Sequence, residues 1–289
     1  MIANVMLRQR SGKVIRPNLQ VLLVIALIVA LPGLLANVIL MRTGSSLTDY
    51  LYAQGFDTSV TAEMLTEAVM AFYRERSWIL LAAGALQLLV TPVLTLGFLN
   101  VTLTLMRGGT AVVGDVFSRR GVALRAVLLM LWIGVKMVLW ALPGMALMLL
   151  SLFLDSELLI LPWALGMILS TALMFVAYYR YSLATLFQAD EPEMGVFACV
   201  RRSKEVMKGR KMQLFSLTLP YSLGRALAVS LGVQLLGYVF GNLVSMTIQL
   251  ILSVYATGAI CAFYEAYARP DGGRAHAFQA DPYHDEMQE

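Results

Sequence analysis

Residues 180–215 read RYSLATLFQADEPEMGVFACVRRSKEVMKGRKMQLF, and ten charged side chains fall between Asp190 and Lys211. On one side of this island, residues 158–187 carry a single charge, Arg180. On the other, the 56 residues from Met212 to Tyr267 carry only Arg225 and Glu265. A dense charged block between long apolar runs must sit in water or among lipid headgroups, because hydrocarbon excludes it. The runs on either side then have to be membrane spans, and the island fixes which of their ends lie together.

The whole chain agrees with that reading. Of its 289 residues 59% are hydrophobic and 14% charged, whereas a soluble domain carries about a quarter charged residues. Mean hydropathy is +0.73. The net charge of +4 does not form a nucleic-acid footprint, because the basic residues flank apolar spans. Two cysteines, Cys199 and Cys261, make no disulfide framework. The two histidines, His276 and His284, lie in the polar tail, so no metal site or cofactor is expected.

Outward from the island, the pattern predicts an all-α polytopic protein with about six transmembrane helices and a single membrane domain over 19–268. The spans fall at about 19–41, 78–106, 126–154, 158–187, 212–236 and 243–264. Residues 1–18 form a basic N-terminus containing Arg8, Arg10, Lys13 and Arg16. The first span is too long for a signal-peptide core and is expected to be a retained anchor. Between the first two spans, Val60, Met64, Ala68 and Phe72 recur at helical spacing, which predicts an outer amphipathic helix. Pro92 should kink the second span. Residues 237–242 read as an outer turn, and residues 269–289 as a disordered tail. Sixteen of the 22 lysines and arginines fall in segments that this topology places inside, against Arg42, Arg74 and Arg76 outside. That asymmetry puts both termini in the cytoplasm of a bacterial plasma membrane.

Read locally, the island has the grammar of one helix of about 17 residues. Asp190 is placed to cap its start, Pro192 to occupy its first turn, and Gly209 to stop it. Val196, Cys199, Val200, Ser203, Val206 and Met207 share one face, while Arg201, Lys204, Glu205 and Lys208 share another. The product is a cytoplasmic amphipathic basic helix. A headgroup-level connector needs nothing more. The functional alternative is docking of anionic lipid headgroups, or of a membrane or cytoplasmic protein partner, through Arg201, Arg202, Lys204, Lys208, Arg210 and Lys211.

The same stretch resembles a bacterial membrane-protein family, the one catalogued as domain of unknown function 975. The pieces that carry it are Arg180-Tyr181-Ser182, Asp190-Glu191-Pro192, Ser203, and Met207-Lys208-Gly209-Arg210-Lys211 before Leu214-Phe215. Gly97-Phe98, Arg107-Gly108, Asp115-Val116-Phe117, Tyr255 and Phe263-Tyr264 add to it. Met212, Val254 and Arg225 depart from its usual pattern. The resemblance implies a polytopic bacterial protein and brings no established activity.

No catalytic motif is present: there is no HExxH, GxSxG, Walker A or GxGxxG, and the spans hold no aspartate. An enzyme is therefore not expected. The intramembrane charges mark the candidate ligand site, made of Arg225, Lys136, Arg180 and Glu265, with Arg180 and Glu265 placed to pair at the cytoplasmic end. Lys136 and Arg225 either line a polar cavity, helped by Gln87, Asn100, Gln234 or Gln249, or snorkel toward the surface. Two functions follow. One is a non-catalytic protein that scaffolds or assists envelope processes through its basic helix. The other is a permease for a small anionic or amphiphilic solute.

Overall fold

A computed structural model describes residues 2–42, 51, 62–151, 160–236 and 238–269. Regular structure among them is entirely helical. The long helices are α2 (Leu19–Arg42), α3 (Ala62–Met106), α4 (Ala123–Ser151), α5 (Ile160–Tyr181), α8 (Lys211–Leu236) and α9 (Tyr238–Tyr267). These correspond to six segments long and apolar enough to cross a membrane. Shorter helices join them at one end: α1 (Ile2–Ile15), α6 (Ala184–Asp190) and α7 (Val196–Val206), with 3-10 turns at Arg16–Asn18, Val113–Phe117 and Arg120–Val122.

The long helices pair as three hairpins, α2 with α3, α4 with α5, and α8 with α9. Two of these pairs close on glycine. A Cβ on Gly144 would lie 2.5 Å from the Gly166 carbonyl oxygen, and one on Gly166 would lie 2.7 Å from that of Gly144. Only glycine allows so near an approach of two backbones. Ser170 Oγ adds a hydrogen bond to the Ala141 carbonyl at 3.2 Å. In the last hairpin Gly232 meets Gly241 and Ser245, and Ser245 Oγ donates to the Ala228 carbonyl at 2.5 Å.

The hairpins meet each other at the end that carries the charged island. There lies the core: Ile15, Leu22 and Ile25, the 94–106 stretch of α3, Ala126 and Leu129, residues 177–189, Cys199 and Met207, Leu214 and Leu217, and the last turns of α9 from Val254. Toward the other end the helices turn Leu35, Leu81, Leu149, Leu161, Leu227 and Phe240 outward. That is the distribution expected of helices solvated by lipid, where apolar side chains gain nothing by turning in.

Several local expectations change. The amphipathic segment before the second span is helical, but it runs continuously into that span. Ala62–Met106 is one 45-residue helix, about 68 Å long at 1.5 Å per residue. Pro92 lies within it without ending it. The fourth span breaks after Tyr181, and Ala184–Asp190 is a separate helix. The expected turn at 237–242 is mostly helix, since α9 starts at Tyr238. The tail beyond Arg269 lies outside the described residues.

The basic N-terminus is itself a helix packed on the bundle. Asn4, Leu7, Ser11 and Ile15, spaced three and four apart, are buried and hold α1 against α8 and α9. The docking is polar at one point. Pro220 has no N–H, so in α8 the carbonyl four residues earlier, that of Ser216, has no helical donor. Arg8 supplies it: Nη2 donates to the Ser216 carbonyl, and Nε to that of Leu217 at 3.2 Å. Asn4 Nδ2 donates to Ser216 Oγ at 2.5 Å and to the Gln213 carbonyl at 3.1 Å.

Candidate functional site

At the basic end, the last turn of α3 delivers Arg107 between two acids from distant parts of the chain. Its Nη1 lies 2.7 Å from Asp190 Oδ1, at the end of α6. Its Nη2 and Nε lie 2.7 and 2.9 Å from Glu265 Oε1, on α9. Tyr264 closes the ring by donating from its hydroxyl to Asp190 Oδ2 at 3.0 Å. Its own ring stands edge-on to Phe187, 5.1 Å between centroids. The side chains of Asp190 and Glu265 are 14% and 8% exposed, against 32% for Arg107, so the carboxylates depend on this guanidinium. The hydrogen bond to Asp190, and behind it those to Glu265, hold the Arg107 proton more tightly than in water.

Around this ring the connections are also polar. Arg125 Nη1 reaches Glu193 Oε2 at 3.0 Å and the Pro192 carbonyl at 2.8 Å. Arg202 bonds Glu191 at 2.9 Å and stacks over Phe187 at 4.9 Å. Ser203 Oγ donates to the Arg180 carbonyl at 3.1 Å, satisfying a C-terminal carbonyl of α5. Under the loop after α3, Gly97 sits so close to Val116 that a Cβ would overlap its carbonyl group. Arg119 Nη2 donates to Asn100 Oδ1 at 2.6 Å, and Asn100 Nδ2 to Ser118 Oγ at 3.3 Å.

This overturns the reading of Asp190 as a helix cap. Asp190 ends α6 and spends its carboxylate on Arg107 and Tyr264, which are 83 and 74 residues away. The island helix is correspondingly shorter, 11 residues, and starts from Gly195 with no side-chain cap. Its C-terminal boundary follows the sequence signal: Gly209 has φ +79°, the left-handed conformation glycine tolerates best. Its faces fall as the spacing predicts. Cys199, Val200, Ser203 and Met207 are buried, and Arg201, Lys204, Glu205 and Lys208 are exposed. Burial pushes the Cys199 thiol up to about 11, which leaves it protonated and unreactive at neutral pH.

The six cations named for docking therefore divide. Arg201, Lys204 and Lys208 face outward. Arg202 is held by Glu191. Arg210 stacks over Tyr267 at 5.0 Å and donates to the Val206 carbonyl, and Lys211 is half-buried.

The four intramembrane candidates are not joined by any hydrogen bond or ion pair among the described residues. Glu265 pairs with Arg107, and with Arg269 at 3.6 Å, so the expected Arg180–Glu265 pair is replaced. Arg180 lies over Trp140 at 5.5 Å, and its buried Nε has no hydrogen-bond partner. Lys136 lies 4.7 Å over Trp132, one turn back along its own helix. That is the direction in which helical side chains lean, and Trp132 in turn packs edge-on to Phe197 of α7. Arg225 is half-buried on α8, two turns past Thr218, which meets Tyr179 of α5 at 3.2 Å. Of the polar residues named beside them, Asn100 is taken by Arg119 and Ser118. Gln87 and Gln234 are exposed, and Gln249 is half-buried. Among the described residues, no three His, Cys, Asp or Glu side chains group as a metal site requires.

Sequence reasoning missed the Arg107 ring and the docking of α1. A signal for each was present. Asn4, Leu7, Ser11 and Ile15 have helical spacing, and Arg107, Asp190 and Tyr264 are all among the motif residues behind the family resemblance. What local reading cannot supply is that three separate motifs meet at one point.

The model of the family described as "Protein of unknown function (DUF975)" matches residues 2–269, and the chain belongs to that family. Nothing among the curated proteins or the solved structures compared matches it.

Proposed function

We propose that this DUF975 protein is a non-catalytic multi-pass protein of the bacterial plasma membrane. In this reading it assists or scaffolds envelope processes by presenting the basic face of α7, on the cytoplasmic side, to anionic lipid headgroups or an acidic protein partner. The observation that carries it is the division of charge on α7. Arg201 and Lys204 of α7, and Lys208 just past its end, point outward, while the other face is fixed in the core by Cys199, Val200, Ser203 and the capping Met207. Among the described residues none of the three forms an ion pair, and a cation mounted on a rigid support loses little entropy when it meets an anion. Phe197 and Met212, both largely exposed, flank the cations as residues of a headgroup interface do. The cytoplasmic placement rests on the lysine and arginine asymmetry.

The test uses the protein in nanodiscs of phosphatidylcholine, challenged with separate vesicles. Wild type should capture phosphatidylglycerol vesicles and release them as salt rises. At about 1 kcal/mol per well-placed cation, the triple variant Arg201→Gln, Lys204→Gln, Lys208→Gln should bind them roughly 100-fold more weakly. Capture unchanged in the triple variant would remove the docking role. A permease for an anionic or amphiphilic solute is the second reading, and Arg225 is the residue that favours it.

A further inference from the structure

One side of α5 is an open apolar groove of about 380 Å³, lined by Met167, Ile168, Thr171, Ala172 and Phe175. Phe175 stacks on Phe215 of α8 at 5.0 Å, and Tyr179 meets Thr218 at 3.2 Å. Helix α8 therefore closes on α5 at the basic end of the groove. Tyr178 follows Thr171 by seven residues and Met167 by eleven, so it continues the same stripe. It is 56% exposed. Arg225 follows Thr218 by seven residues, two helical turns, so it lies on the side of α8 that meets α5.

Arg225 stands 14 residues beyond Lys211, about 21 Å along α8 and so well inside a hydrocarbon layer of about 30 Å. It has no hydrogen bond or ion pair among the described residues. Helices α4, α5 and α8 contain Arg125, Lys136, Arg180, Lys211 and Arg225, and not one aspartate or glutamate. Arg125 has Glu193, while Lys136 and Arg180 rest on tryptophan faces. Arg225 lacks either arrangement. An intramembrane cation is stable only when paired or hydrated, and these helices offer it no anion.

We propose that the α5 groove and Arg225 form a binding site for an anionic amphiphile of the bilayer, its hydrocarbon tail along Met167–Phe175 and its acidic headgroup on Arg225 and the Tyr178 hydroxyl. Charge complementarity selects this occupant. A neutral lipid tail would cover the groove and leave Arg225 unpaired, and a free anion would have no use for an open apolar groove. The site is separate from the outward face of α7 and does not depend on the docking role proposed for it.

The experiment uses a diazirine-bearing dodecyl phosphate and the full chain in phosphatidylcholine nanodiscs, with labelled peptides mapped by mass spectrometry. Label should fall on the peptide holding Met167–Phe175, and dodecyl phosphate should compete it better than dodecanol or inorganic phosphate. Arg225→Gln should cut labelling at subsaturating probe about tenfold, the scale of one lost charge-assisted contact. Arg225→Lys should retain part of it, and the α7 triple variant should label as wild type. Ala172→Trp fills the groove while leaving Arg225 in place and should also abolish labelling, so a folding defect in Arg225→Gln alone would not decide the matter. Equal competition by dodecanol would overturn the proposal, because the groove would then be only an apolar face. Equal competition by inorganic phosphate, or unchanged labelling in both Arg225→Gln and Ala172→Trp, would overturn it as well.

Discussion

Replacing Arg107 with alanine removes the one side chain among the described residues that forms ion pairs with both Asp190 and Glu265. Breaking a buried ion pair from one side costs about 3–5 kcal/mol, because the remaining charge stays desolvated. Arg107 itself is 32% exposed, and water can reach the gap it leaves. Glu265 also keeps Arg269 at 3.6 Å, and Asp190 keeps the Tyr264 hydroxyl. Those remnants lower the expected loss to about 2–3 kcal/mol. At roughly 2–4 °C per kcal/mol for a chain near this size, the midpoint of thermal unfolding in a neutral detergent should fall by roughly 4–12 °C. Arg107→Lys should recover less than half of this, since one ammonium cannot span both carboxylates as the guanidinium fork does. A double-mutant cycle with Glu265→Gln isolates the pair and should give a coupling of about 1–2 kcal/mol. A midpoint within 1–2 °C of wild type for Arg107→Ala, about what a surface pair is worth, would refute the claim that the ring fastens the bundle. So would a coupling near zero.

Two further predictions concern the core end. Arg8→Ala should destabilise the protein by about 1–3 kcal/mol, leaving the Ser216 carbonyl without a donor, whereas in a Pro220→Ala background, where residue 220 again donates to that carbonyl, the same change should cost less. Equal losses in the two backgrounds, measured by thermal unfolding, would show that Arg8 does not serve the proline gap. Gly97→Ala places a Cβ against the Val116 backbone, which cannot rotate away, and should cost about 1–3 kcal/mol. The control Gly84→Ala, where a Cβ meets nothing within 4 Å, should be neutral or slightly stabilising.

How much of this was legible beforehand follows from what each feature depends on. The membrane class and the long helices depend on runs of apolar residues, which are contiguous in the chain, and six segments appear where the hydropathy puts them. The faces of α7 follow from 3.6-residue spacing, and its end from Gly209, again properties of neighbouring residues. Breaks inside apolar sequence were not legible. Nothing in the composition distinguishes Tyr181 from Ala184, yet a helix ends at one and another starts at the other, because Ser203 of α7 binds the Arg180 carbonyl there. The turn expected at 237–242 failed for a similar reason. Its glycines read as turn residues, but Gly241 lies within α9, where the missing Cβ of Gly232 leaves room for its carbonyl and for Ser245.

Asp190 marks the division most clearly. By itself the sequence determined that a cluster of charge at 190–211 must lie outside the hydrocarbon and orient the spans, since that follows from solvation, which acts on each residue where it stands. It also supplied a local role for Asp190 as a helix cap, which has a sound mechanism but a short reach. The tertiary structure assigned the carboxylate elsewhere, because Arg107 and Tyr264 arrive from the ends of α3 and α9 with a charge and a geometry that the neutral backbone amides of a helix start do not match. Whether a polar side chain serves its own helix or a distant one is a competition between partners, and only the folded chain brings those partners together.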